Sequence, residues 1–290
     1  MRAGRVFTAC GVAFGSKELT LVRRLIEQAQ PRNRAEVARQ VCAALQWTDA
    51  LGRPKLMSCR VALLRLHRAG LIELPAPTRT NGNGKPLSRV VAMPAERPLT
   101  GSVEQLGELE LEWVKGRQRS ALWNRLIERY HYLGYTPLPG AQVRYLVHAA
   151  HGLLGAIGFA AAAWKVAPRD DWIGWAAPAR ERGLARVLNN ARFLVLPWVQ
   201  VKNLASKVLS LAARQVREDF ACAYGVSPVL LETFVEVGRF AGTCYRAANW
   251  VEVGLTQGRG KCDRHKRARL PVKAVYLYPL RRDFCQVLGA

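Results

Sequence analysis

A break rich in proline and glycine at residues 75–99 constrains this chain more than any other feature. It holds Pro75, Pro77, Pro86, Pro94 and Pro98, and Asn81-Gly-Asn-Gly84 within it favours turns. No helix or central strand runs easily through such a stretch. Proline lacks the backbone N–H, and glycine loses the most conformational entropy on ordering. The 290 residues therefore divide into a short N-terminal part and a longer C-terminal part. We read the break as a linker, or as a wing-like hairpin that returns through 88–93.

Before the break the apolar residues recur at helical spacing. Leu21, Val22, Leu25 and Ile26 share one face, and Val37, Val41, Ala44 and Leu45 share another. Asn33 reads as an N-cap, with Glu36 placed to return the bond. Gly52-Arg-Pro-Lys55 is a turn, and Ser58 is placed to cap a third helix over 59–69. That helix would turn Val61, Ala62, Leu63 and Leu66 inward. Gly70 stops it, and 71–74 reads as a short strand. Three short helices followed by a strand are the order of a winged-helix or helix-turn-helix unit. Arg60, Arg65 and Arg68 lie on the third helix and Lys55 just before it. Within residues 1–99 there are 17 Lys+Arg against 6 Asp+Glu. Such a helix suits groove and phosphate contacts.

From about residue 115 the pattern alternates. Ala121, Leu122, Leu126, Ile127 and Tyr130 form a helix face. Residues 142–148 and 153–162 read as a strand and its return, 180–188 as a helix and 191–197 as a buried strand. Then come a long amphipathic helix over 204–220, a buried strand over 229–235, a short helix near 243–249 and a strand over 250–255. A last strand is placed at 275–278. The expected class is α/β (α+β) with a partly parallel sheet. We divide the chain into 1–75, a winged-helix-like unit; 76–114, a linker or wing; 115–257, the α/β domain; and 258–290, a basic segment.

Charge narrows the function. The chain has 44 Lys+Arg against 21 Asp+Glu, a net charge of +23 with pI near 10.5. That surplus favours a polyanionic partner and disfavours a free-standing enzyme for small neutral substrates. Residues 258–290 carry nine Lys+Arg against Asp263 and Asp283. Half of the residues are hydrophobic, enough for a packed core. The longest apolar run, 153–164, is about half the length of a membrane span, and residues 1–14 make a poor signal peptide. Seven cysteines without paired spacing fit reduced thiols and no zinc site. We expect a cytoplasmic protein.

Two resemblances follow from particular strings. The element order from 141 to 256 resembles the GNAT acyltransferase superfamily. His151-Gly-Leu-Leu-Gly-Ala-Ile-Gly158 stands for its hairpin and Phe193-Leu-Val-Leu-Pro197 for the strand before a phosphate-cradling turn. Tyr245-Arg-Ala-Ala-Asn-Trp250 stands where a Tyr-x-x-x-Gly-Phe signature would be. A wider likeness rests on Met57-Ser-Cys-Arg-Val-Ala-Leu-Leu-Arg-Leu-His-Arg-Ala-Gly-Leu-Ile-Glu-Leu-Pro75 and Asn190-Ala-Arg-Phe-Leu-Val-Leu-Pro197. Leu230-Leu-Glu-Thr-Phe-Val235, Arg239-Phe-Ala-Gly-Thr-Cys-Tyr-Arg-Ala-Ala-Asn-Trp250 and Gly254-Leu-Thr-Gln-Gly-Arg-Gly260 extend it. These strings resemble the DruA-type family of the Druantia anti-phage systems, whose relatives also accompany transposase domains in mobile elements. The likeness implies a defence or mobile-element context more than a reaction, with other defence-system or transposase proteins as partners.

Three functions follow as expectations. The first is weakly specific binding of single-stranded or duplex DNA by Lys55, Arg60, Arg65 and Arg68, with Arg246, Asn249, Trp250, Arg259, Lys261 and Arg264. In the second group cations interleave with aromatics, which suits phosphates and stacked bases; Trp172 and Trp175 would extend that surface. The second function, implied by the GNAT likeness, is acyl transfer from acetyl-CoA, with Tyr245 as general acid and residues 199–206 as the cradle. That segment has no glycine, but Lys202 supplies charge and Asn203 can cap the helix. The third is a metal-dependent nuclease or strand-transfer factor joining Glu232 to Asp170 or Asp171 through Mg²⁺. By default the two aspartates are a water-exposed loop pair, and Glu232, in an apolar strand, needs a partner such as Arg246 or Arg192. Cys244 is a candidate nucleophile if His148 or His151 reaches it. No cofactor is fixed by these residues and no metal-ligand spacing is present.

Overall fold

The first element is a hairpin that sequence reasoning did not expect. β1 (Phe7–Ala9) and β2 (Val12–Phe14) pair antiparallel, and the two residues between them, Cys10 and Gly11, both have positive φ. Such a turn matches the twist of a two-residue hairpin. α1 (Ser16–Gln28) follows and buries Val22 and Ile26. α2 (Arg34–Ala44) starts at Asn33, whose side chain accepts from the Ala35 and Glu36 N–H groups at 3.0 and 2.9 Å. The Glu36 carboxylate does not return the bond. It turns to Arg39 and Gln40 instead.

α3 (Leu56–Arg68) starts earlier than the sequence suggests, with Lys55 at the N-cap position and Ser58 inside the first turn. Phe14, Val22, Val37, Val41, Cys59, Ala62 and Leu66 form the core of this unit. Residues 71–74 are not a strand. Their stretch is held by side chains: Arg23 donates to Leu71 O at 2.8 Å and Arg34 to Pro75 O at 2.7 Å.

This computed structural model describes residues 6–30, 33–49, 52–78, 91–259 and 270–289. The chain forms two compact units, residues 1–85 and 86–290.

The second unit begins within the stretch expected to be a linker. β3 (Leu99–Ser102) and β4 (Glu110–Trp113) are both strands, followed by α4 (Gly116–Tyr130). β5 (Gln142–Ala149) and β6 (Gly152–Ala161) form the expected hairpin. The helix expected over 180–188 is instead α5 (Ala167–Ile173) and α6 (Ala177–Gly183), with a single 3₁₀ turn over Leu184–Arg186. β7 (Val187–Val195) therefore starts earlier than sequence suggests. Then come β8 (Val199–Lys202), α7 (Leu204–Tyr224), β9 (Leu230–Glu236), α8 (Thr243–Ala247) and β10 (Val251–Leu255). The basic segment contributes β11 (Lys273–Pro279) and α9 (Phe284–Leu288).

Seven strands form one sheet in the order β10-β11-β9-β7-β6-β5-β4. All neighbours are antiparallel except β7 and β9, which α7 joins as a crossover. The sheet is thus mixed, and the unit is α/β. Its two faces are buried by alternate residues, as the two-residue period of a strand requires. Leu231 and Tyr276 pack with α4 and α7, whereas Leu230, Val275 and Leu277 pack with α5, α6 and α9. Gly158 lets Trp123 of α4 approach the sheet, since a Cβ there would lie 2.8 Å from the Trp123 ring.

Candidate nucleic-acid interface

α3 turns about 100° per residue. That places Cys59, Ala62, Leu63 and Leu66 inward and Met57, Arg60, Val61, Arg65 and Arg68 on the opposite side. Val61 was expected inward. It is 41% exposed and Met57 is 68% exposed, because both lie on the arc opposite Cys59 and Leu66. α3 contains no carboxylate. Among the described residues, Lys55, Arg60, Arg65 and Arg68 are all exposed, and none makes an ion pair or a side-chain hydrogen bond. This face combines unpaired cations with exposed apolar side chains.

In the second unit the buried chemistry centres on a residue that sequence reasoning missed. Arg169 is fully buried in α5. It donates to Glu232 Oε2 at 2.7 Å, to Asp170 Oδ1 at 2.7 Å and to the Ala163 carbonyl at 2.8 Å. The Ala163 N–H holds Glu232 Oε1 at 2.8 Å, and Trp175 Nε1 holds Asp170 Oδ1 at 3.0 Å. Glu232 is thus paired with Arg169, neither with Arg246 nor with Arg192. Burial pushes its carboxyl up, and the Arg169 guanidinium pulls against that shift. Asp170 is buried, not a water-exposed loop residue, while Asp171 next to it is exposed. A guanidinium occupies the space between Glu232 and Asp170 that the nuclease reading needs for Mg²⁺. No cluster of three metal-ligating residues exists among the described residues.

The expected catalytic pair lies elsewhere. β7 and β9 pair only from Val187 to Asn189 with Leu230 to Glu232, and the β6–β7 ladder shifts register beside Asn190. There the Tyr245 hydroxyl donates to Asn190 Oδ1 at 2.8 Å and Thr233 Oγ1 donates to Asn190 O at 3.1 Å. Burial raises the Tyr245 hydroxyl well above its ordinary range. Burial also raises the Cys244 thiol, which opposes thiolate formation. His148 is engaged with Glu112 at 3.0 Å, and no histidine bonds Cys244 among the described residues. Residues 199–202 of the expected cradle are strand β8, parallel to β3, and the Val199 N–H already donates to Leu196 O. Lys202 and Asn203 are exposed. Asn203 occupies the N-cap position of α7 at φ 65°, but its side chain makes no capping bond.

The proposed base-stacking surface also changes. Trp250 is 3% exposed and packs on Tyr245 and Tyr278, with ring centroids 5.2 and 5.7 Å away, so it offers no face to a base. Trp175 is buried, and Trp172 stacks on Phe284 at 5.0 Å. Large aromatics beside apolar strands fill the core before they reach the surface. Arg246 is half exposed, bonded to Tyr276 Oη at 2.9 Å and near Glu252 at 3.7 Å. Asn249 and Arg259 are exposed. Lys261 and Arg264 lie outside the described residues.

An aromatic and cationic cluster absent from the sequence reading stands at the ends of α4 and β9. Tyr132 and Phe240 meet edge to face at 5.0 Å, and the Arg239 guanidinium lies 4.9 Å from the Tyr132 ring centre. The His131 ring is 4.9 Å from that of Tyr132. The signal was the string His131-Tyr-Leu-Gly-Tyr135, which has no helical or strand period, and the adjacent pair Arg239-Phe240.

Comparison with known proteins bears on the family. A family model for the Druantia protein DruA matches residues 65–268. No curated protein matches. Among solved structures, a chimera of the spermidine N-acetyltransferase SpeG from Vibrio cholerae and hSSAT is 14% identical. It covers 59% of this chain and 95% of that one, with a TM-score of 0.38. A Bacillus subtilis acetyltransferase in complex with CoA is 8% identical, covering 60% and 100%, also at 0.38. A GNAT-family acetyltransferase from Bacillus cereus is 10% identical, covering 48% and 71%, at 0.30.

Proposed function

Because the chain belongs to the DruA family of Druantia proteins, we propose that it holds DNA in an anti-phage or mobile-element setting, through the outer face of α3. The observation that carries this reading is that Arg60, Arg65 and Arg68 on α3, a helix without a carboxylate, and Lys55 at its N-cap position are all exposed and, among the described residues, without ion-pair or side-chain hydrogen-bond partners. Cations kept apart from intramolecular acids are available to phosphates, and each phosphate contact gains from release of condensed counterions. Met57 and Val61 between them suit apolar contact with thymine methyl groups in the major groove.

The N-terminal unit is then a helix-turn-helix module, with α2 crossing the backbone and α3 entering the groove. The basic segment from 258 adds phosphate contacts that are not sequence-specific. Other proteins of the same system are the natural partners of such a DNA-holding chain.

The test is fluorescence anisotropy with a duplex of mixed sequence, comparing the wild-type chain with an Arg60→Ala, Arg65→Ala, Arg68→Ala variant. These side chains are exposed, so the fold should be unchanged in thermal unfolding. The reading expects the variant to bind at least tenfold more weakly, with a shallower salt dependence. Equal affinity would move DNA binding off α3.

A further inference from the structure

We propose that Tyr132, Phe240, Arg239 and Arg192 form a second nucleic-acid site, which takes the unpaired bases and flanking phosphate of single-stranded DNA. This inference rests on the DNA-binding reading above and adds a substrate class for the C-terminal unit.

Arg192 carries the first argument. It is half-buried, with one Nη bonded to the Ala191 carbonyl at 2.7 Å and the other to Thr136 Oγ1 at 2.8 Å. Its Nε is buried without a hydrogen-bond partner. Among the described residues no carboxylate lies within ion-pair distance of it. A cation withdrawn from water and left without an anion is costly, so an anion supplied from outside would relieve that cost.

Phe240 carries the second. It is 49% exposed, while the other seven phenylalanines of the chain are buried or partly buried. It stands at the turn after β9, edge to face with Tyr132, itself 37% exposed. Arg239 lies over Tyr132 and is held to Glu236 at 3.3 Å, which orders the cluster. The two arguments meet at Tyr132. Arg192 bonds Thr136 at 2.8 Å, four residues beyond Tyr132 in the segment that follows α4, so the unpaired cation and the exposed rings belong to one patch; its charge also acts on His131 and Tyr132.

An anion joined to a flat apolar group is what such a patch recognises, and a nucleotide has both. In a duplex the bases are stacked on each other and their faces are closed. The rings can therefore be used only by an unpaired base.

The test uses the full chain and labelled oligomers of about 12 nucleotides: oligo-dT, an abasic phosphodeoxyribose strand of equal length, and a hairpin duplex. For the wild type the proposal expects oligo-dT to bind about tenfold tighter than the abasic strand. Phe240→Ala should abolish that difference without changing duplex affinity, and Phe240→Trp should restore it. Equal binding of oligo-dT and abasic strand, or an unaffected Phe240→Ala protein, overturns the proposal while duplex binding keeps the α3 reading intact. If the wild type binds no strand of any kind, the DNA-binding reading fails, and this site fails with it.

Discussion

Arg169 and Glu232 are joined by a 2.7 Å ion pair with both side chains fully excluded from water. The pair ties α5 to β9 and fixes the side of the sheet opposite α7. Removing Arg169 leaves the Glu232 carboxyl buried without its cation, whereas removing Glu232 leaves Arg169 still bonded to Asp170 at 2.7 Å.

Arg169→Met should destabilise the C-terminal unit by about 3–5 kcal/mol, and Glu232→Leu by less, because Arg169 keeps Asp170 as its partner. At about 2–4 °C per kcal/mol for a domain of this size, the melting temperature of Arg169→Met should fall by about 6–20 °C. The double variant should recover only the part of the Arg169→Met loss that comes from Glu232, since Asp170 still lacks Arg169. Calorimetry of the three proteins checks this, and single variants as stable as the wild type would remove the pair from the account.

Tyr245→Phe should cost about 1–3 kcal/mol, because Asn190 Oδ1 would stay buried without its donor. Urea unfolding measures the loss. No change would mean that the amide finds another partner.

His131 is held neutral. Burial and the Arg192 charge push its pKa down to about 4, against about 6.5 in an unfolded chain. Between those values the unfolded chain binds a proton that the folded chain does not. Stability should therefore fall as pH drops from about 6.5 to about 4, and His131→Gln should flatten that slope. An imidazole NMR titration with a midpoint near 6.5 would contradict this.

Gly155→Ala should weaken the β6–β7 ladder, because a Cβ would fall 2.2 Å from Leu194 O, and backbone cannot rotate aside. Forced shifts of this kind cost about 1–3 kcal/mol. Hydrogen exchange at β6 and β7 should rise relative to β10 and β11.

Several strands and helices of the sheet domain were legible because their apolar residues repeat at two or at 3.6 residues. The β5–β6 hairpin and α7 are examples. The short elements α5, α6, β8 and α9 were not legible. Nor were β3 and β4, because four-residue strands beside a proline-rich stretch carry too little pattern. The face of α3 was legible in its cations, but not in Val61, whose apolar character suggested the core. The partner of Glu232 could not be read at all. Arg169 is 63 positions away, and only the sheet brings the two together. The same holds for Arg192 and Phe240, which no local spacing joins. Trp250 shows the opposite error: its cationic neighbours suggested surface, but its bulk was needed in the core.

DNA held through cations that lack intramolecular acids is the function we propose for this chain. The measurement that tests it most directly is the affinity of purified protein, freed of copurified nucleic acid, for duplex and single-stranded DNA across a salt series. Binding to both is expected at low salt, with log K falling linearly against log salt at a slope of about −0.9 for each duplex phosphate neutralised. No binding at low salt, or an affinity that salt leaves unchanged, would contradict it.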